Sequence, residues 1–91
     1  MPRVVVPPPY RGATHGLAEV SVPGDTIAVC LSDVISRYHD LGELVLALDG
    51  SLQPFVTVFL NGEKLSREKA LDVKLTQKDV IEIISAIAGG N

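Results

Sequence analysis

A chain of 91 residues, 46% hydrophobic, 21% charged and 4% aromatic with a formal net charge of −3, has the length for one domain around one core. Mild acidity argues against general nucleic-acid binding, no apolar run reaches the ~20 residues of a membrane span, and the single Cys30 excludes an internal disulfide or a multi-cysteine zinc site. His15 and His39 are too few for a metal cluster, so no metal site is expected, and without an apolar leader the expected compartment is the cytoplasm.

Arg3 to Val6 reads as a first strand, rich in β-branched valine and stopped by Pro7-Pro8-Pro9, which remove three backbone donors. Tyr10 to Gly16 is a loop. Ala18, Val20 and Val22 alternate with Leu17, Glu19 and Ser21, the period of a half-buried second strand that can pair with the first. Pro23-Gly24-Asp25-Thr26 then switches the period, with Asp25 or Thr26 placed to cap a helix. Ile27, Leu31, Val34, Ile35 and Tyr38 form the apolar stripe of that helix, with Cys30 beside it as a small buried hydrophobe, and His39 complements the negative end of its dipole. Asp40 to Gly50 reads as a connector whose Leu44, Val45, Leu46 and Leu48 are available to pack beneath it.

Phe55 to Leu60 is a strand apolar on both sides. Val56, Val58 and Leu60 face one way; Phe55, Thr57 and Phe59 face the other, so the strand is central or meets a partner. Asn61-Gly62 is a hairpin turn, because both residues tolerate positive φ, and Glu63 to Leu65 is the return strand. Val80 to Ser85 is the last strand, with Ile81 and Ile83 opposite to Val80, Glu82 and Ile84. The order predicts an α+β domain of the β-grasp type, a mixed sheet crossed by one helix with the first and last strands parallel at its centre. Residues 1–85 form this domain and residues 86–91 a flexible tail. Phe55, Thr57, Phe59 and Ile84 are expected to form an exposed apolar patch on the outer sheet face.

The tail carries the chemistry. A Gly-Gly pair falls at a given position by chance about half a per cent of the time. Here Gly89-Gly90 follows the small or apolar Ala86, Ile87 and Ala88, a narrow arm able to thread into another protein's active site, where Cβ atoms near its end would clash. A glycine carboxylate is an open acyl group, and adenylation makes its carbonyl attackable by sulfur or nitrogen. No pair of residues forms a nucleophile–base set, so the chain does not read as an enzyme.

From Pro54 to Glu63, from Leu75 to Ile84 and through Ala86-Ile87-Ala88-Gly89-Gly90, the sequence resembles the ThiS/MoaD-type sulfur carriers, relatives of ubiquitin. Pro7, Arg11, Thr14-His15-Gly16, Gly24-Asp25-Thr26 and Ser32-Asp33 extend the resemblance through the first half, closest to carriers that serve a cysteine synthase and to MoaD-like small subunits of molybdopterin synthase. The resemblance implies a carrier that binds no cofactor of its own. An E1-like enzyme would adenylate the Gly90 carboxylate with ATP and Mg²⁺, and the resulting thiocarboxylate would pass its sulfur to a cysteine synthase or the large subunit of molybdopterin synthase. Ala86, Ile87 and Ala88 would line the partner's channel. Asn91 departs from the pattern by holding the Gly90 carbonyl in a peptide bond, so its removal by a metalloprotease is expected. A ubiquitin-like modifier joined to lysines through the same glycine is the alternative.

Overall fold

In the computed structural model, which describes residues 1–86, the hydroxyl oxygen of Thr26 accepts the N–H of Val29 at 3.2 Å. Helix α1 (Ile27–Arg37) therefore starts at the cap that the sequence predicts. Gly24 makes the entry possible. Its φ is +153°, and a Cβ there would come within 2.7 Å of the Cys30 sulfur. The helix buries Ile27, Cys30, Leu31 and Val34, so Cys30 lies within the apolar stripe rather than beside it. Its last turn carries Arg37, paired with Asp33 at 2.9 Å, and His39 falls beyond it in a 3₁₀ turn (His39–Leu41).

Five strands form one mixed sheet: β1 (Arg3–Val5), β2 (Glu19–Ser21), β3 (Val56–Leu60), β4 (Glu63–Lys64) and β5 (Val80–Ser85), in the order β2-β1-β5-β3-β4. β1 and β5 are parallel, and all other pairs are antiparallel. Val4, Val20, Val56, Val58, Ile81 and Ile83 point inward to α1 and are buried. Each contributes roughly 1.5–3 kcal/mol by leaving water. A one-residue slip of β5 would expose both isoleucines and bury Glu82 instead, so the register is firmly set.

Asn61 and Gly62 take φ of 50° and 86°, which closes the β3–β4 hairpin as expected. The Asn61 side chain also staples that turn to β5. Its oxygen accepts the N–H of Val80 at 2.9 Å while its amide donates to Asp79 at 3.0 Å.

Three expectations are corrected. The connector from Asp40 contains a second helix, α2 (Gly42–Val45), packed on the α1 side with Gly42 against Ile35. Leu48 does not pack beneath it but stands fully exposed on the turn after α2. Ala18 is exposed and precedes β2, although its amide plane still pairs, its carbonyl accepting the N–H of Val6 at 2.8 Å. Among the described residues no helix is long and apolar enough to cross a membrane.

Candidate functional site

The antiparallel ladder of β3 and β5 sets Thr57 opposite Ile84 and Phe59 opposite Glu82, all on the face turned away from α1. Thr57, Phe59 and Ile84 are half-buried, and Phe55 is 37% exposed, against 0–1% for Val56 and Val58 on the inner face. The sheet thus sets Thr57, Phe59 and Ile84 on one face as the alternation predicts, half-buried rather than exposed, while the connector packs on the α1 side. Phe55 departs in one respect. It belongs to the turn that enters β3, not to the strand.

That turn is fixed by a residue the sequence reading overlooks. The Arg67 guanidinium donates to the carbonyls of Val56 at 2.6 Å and of Leu52 and Gln53 at 2.8 Å each. With the turn held, the Phe55 carbonyl accepts the N–H of Ala86 at 2.8 Å, so sheet pairing runs one residue past β5 into the segment assigned to the tail. A second tether comes from the N-terminal loop, where buried Tyr10 donates its hydroxyl to Ser85 Oγ at 3.1 Å. Ala86, the last described residue, lies beside Phe55, exposed but anchored at its amide. Ile87, Ala88, Gly89, Gly90 and Asn91 lie outside the described residues.

In sequence alone, Arg67 reads as one more surface charge in a polar connector, and Tyr10 as a loop residue after three prolines. Thr14 is hidden in the same way. It is fully buried, with its hydroxyl 2.8 Å from the Leu17 carbonyl that it donates to, while Arg11 Nε donates to the Val6 carbonyl at 3.0 Å. These bonds make the loop from Arg11 a self-bonded brace for Tyr10.

Among the described residues no three His, Cys, Asp or Glu side chains converge as metal ligands. Burial, reinforced by the negative charges of Asp33 and Asp25, pushes the Cys30 thiol up, which keeps it protonated and unreactive. A surface depression runs between the Pro23–Asp25 turn and Ala28, Val29, Ser32, Asp33 and Ser36 on the solvent side of α1.

The model of the ThiS family matches residues 7–90, which is most of the chain. The chain belongs to the ThiS family. The matched region includes Gly89 and Gly90 and stops before Asn91. The sulfur carrier protein CysO of Mycobacterium tuberculosis is 30% identical over 89 residues, 96% of each chain. CysO in the crystallised BexX/CysO complex of Amycolatopsis orientalis superposes with a TM-score of 0.88 at 27% identity, over 99% of this chain and 100% of that one. Crystallised CysO of Mycobacterium tuberculosis gives 0.85 at 27% identity over 96% and 100%. Small archaeal modifier protein 1 of Haloferax volcanii shares the fold, with a TM-score of 0.78 at 21% identity over 98% of both chains. By family, then, this is a sulfur carrier protein of the ThiS/CysO type with the ubiquitin-like β-grasp fold, and such proteins are small carriers rather than enzymes.

Proposed function

We propose that this ThiS-family carrier works through the Gly90 carboxylate, presented to a partner while the outer sheet face docks. An E1-like adenylating enzyme would use ATP and Mg²⁺: a carboxylate oxygen attacks the α-phosphorus and pyrophosphate leaves. Hydrosulfide then adds to the acyl carbon, AMP leaves with the carbon–oxygen bond, and one proton is released, giving the thiocarboxylate. A second enzyme would draw the sulfur off, and the resemblance of the first half to carriers that serve a cysteine synthase favours such an enzyme over the large subunit of molybdopterin synthase.

The observation that carries this reading is the Ala86–Phe55 hydrogen bond, which fixes the last described residue beside the apolar face. Four further residues reach Gly90, a span of at most ~14 Å. Docking and chemistry are thus within reach of one partner. The BexX/CysO complex of Amycolatopsis orientalis supports protein docking by a carrier of this kind.

The test compares the 91-residue chain with one ending at Gly90, each incubated with the adenylating enzyme, ATP, Mg²⁺ and sulfide. Intact mass should show replacement of oxygen by sulfur on the shorter chain only, and Gly90→Ala should abolish it without shifting the melting temperature. Exchange on the longer chain would show that Asn91 needs no removal. Isopeptide adducts on lysines, with no sulfur exchange, would place the protein among the modifiers instead.

A further inference from the structure

One row of the sheet crosses all five strands on the outer face: Glu19, Val5, Glu82, Phe59 and Lys64 stand side by side through successive pairings. Its charges are unevenly compensated. Glu19 is paired with Arg3 at 3.3 Å, and Lys64 is exposed on the edge strand. Glu82 sits at the centre, on the middle strand, half-buried between Val5 and Phe59, and among the described residues it has neither an ion-pair partner nor a side-chain hydrogen bond. Val80 and Ile84 continue the same face of β5 on either side of it. Glutamate is a poor strand former, and this carboxylate stands among apolar neighbours, open to water and without a protein partner. A valine or threonine would suit the isolated fold better. Such a local mismatch marks a position shaped by something other than folding.

We propose that Glu82 is the polar key of the docking face and receives an arginine side chain from the adenylating partner, an inference that rests on the sulfur-carrier reading. Two features of the pair select a guanidinium. The carboxylate can accept two parallel N–H bonds from its fork, and the adjacent Phe59 ring offers a flat surface for its plane. A lysine ammonium, more strongly hydrated and able to meet the carboxylate only as a point charge, fits this pairing less well. Thr57, Ile84 and Phe55 would exclude water around the contact, which raises the worth of the ion pair once docking desolvates it.

The experiment measures ATP–pyrophosphate exchange by the adenylating enzyme against the concentration of a carrier ending at Gly90, with thermal melting of the carrier alone alongside. Glu82→Gln keeps the shape and removes the charge. It should raise the KM for carrier by about tenfold or more at low salt while kcat stays within about twofold. The wild-type KM should climb with ionic strength and that of the variant should not. Glu82→Val should bind as weakly as Glu82→Gln yet melt a few degrees higher, a combination that a merely structural residue does not produce. An unchanged KM for Glu82→Gln, or weak binding accompanied by a lower melting temperature, overturns the proposal. If Phe59→Ala weakens binding and Glu82→Gln does not, the face docks by apolar contact alone and the polar key is refuted while the carrier reading stands. Failure of the wild-type carrier to support any exchange would defeat the carrier reading itself, and this inference with it.

Discussion

The hydroxyl of Tyr10 donates to Ser85 Oγ at 3.1 Å, joining residues 75 positions apart. One lies in the first loop and the other is the last residue of the central strand, so the bond ties the N-terminal loop to the end of β5.

Tyr10→Phe should therefore cost about 1 kcal/mol, the net worth of a hydrogen bond between neutral groups, with the ring still buried. Ser85→Ala should cost a similar amount. The pair should not add, because either change alone already breaks the bond. Urea unfolding of the two single variants and the double variant checks this, and full additivity would mean that the hydroxyls do not interact in solution.

Arg67 acts on the same end of β5 from the other side. Its guanidinium bridges three carbonyls of the segment from Leu52 to Val56. Water can replace part of this at an exposed residue, so Arg67→Ala should cost about 1–3 kcal/mol. Arg67→Lys should restore only a fraction, since an ammonium cannot span the three acceptors that the planar fork reaches. The distinguishing measurement is hydrogen exchange at the Ala86 amide. It should accelerate in Arg67→Ala more than amides of β1 do, because the Phe55 carbonyl is held by the turn that Arg67 closes.

What the sequence made legible follows from periodicity. Val56 and Val58 against Thr57 and Phe59, and Ile81 and Ile83 against Glu82 and Ile84, are alternations in which every residue reports its face. Thr26 and Asn61-Gly62 are local signals whose geometry needs no tertiary context. The apolar run of Leu44, Val45 and Leu46 has no such period. It does not reveal the short α2 helix, which starts at Gly42 where a Cβ would come within 3.1 Å of Ile35. Nor can Leu48 be told from its neighbours, although the turn through Asp49 and Gly50 leaves it in water. Thr57, Phe59 and Ile84 were readable because they lie on strands, whereas Phe55 lies in the turn that enters β3. Tyr10, Thr14 and Arg67 were not, because their roles consist of hydrogen bonds to a distant side chain or to irregular backbone. Gly89 and Gly90 were readable as a motif alone.

Acid should loosen the stapled turn. The N–H of Thr76 and the Asn61 amide both donate to Asp79 and hold its carboxyl below the usual aspartate value; Ser51 does the same for Asp49. The folded state thus binds protons less readily than the unfolded chain. The stabilisation from these two groups is fully present above about pH 4 and is lost as pH falls through their lowered values. Melting temperature measured between about pH 2 and 6 should show an acid limb that becomes shallower in Asp79→Asn. An identical limb in that variant would mean that Asp79 is no better bonded folded than unfolded.

The final prediction concerns the sulfur that should stay silent. Cys30 is fully buried, its Sγ packed so closely under Gly24 that a Cβ there would sit 2.7 Å away. Burial and the nearby Asp33 and Asp25 charges push its thiol up, so both access and thiolate fraction are low at mildly alkaline pH. In the folded carrier, iodoacetamide should modify Cys30 on the order of 100-fold more slowly than in the urea-unfolded chain, because reaction must wait for opening of the α1 entry. Cys30→Ala should remove the residual labelling at a stability cost of about 1 kcal/mol for the small cavity. Fast sulfur labelling that appears only after incubation with the adenylating enzyme, ATP and sulfide, and that persists in Cys30→Ala, would then arise from a newly installed sulfur. Rapid native labelling of the untreated chain, lost in Cys30→Ala, would show instead that the Gly24–Cys30 contact opens freely.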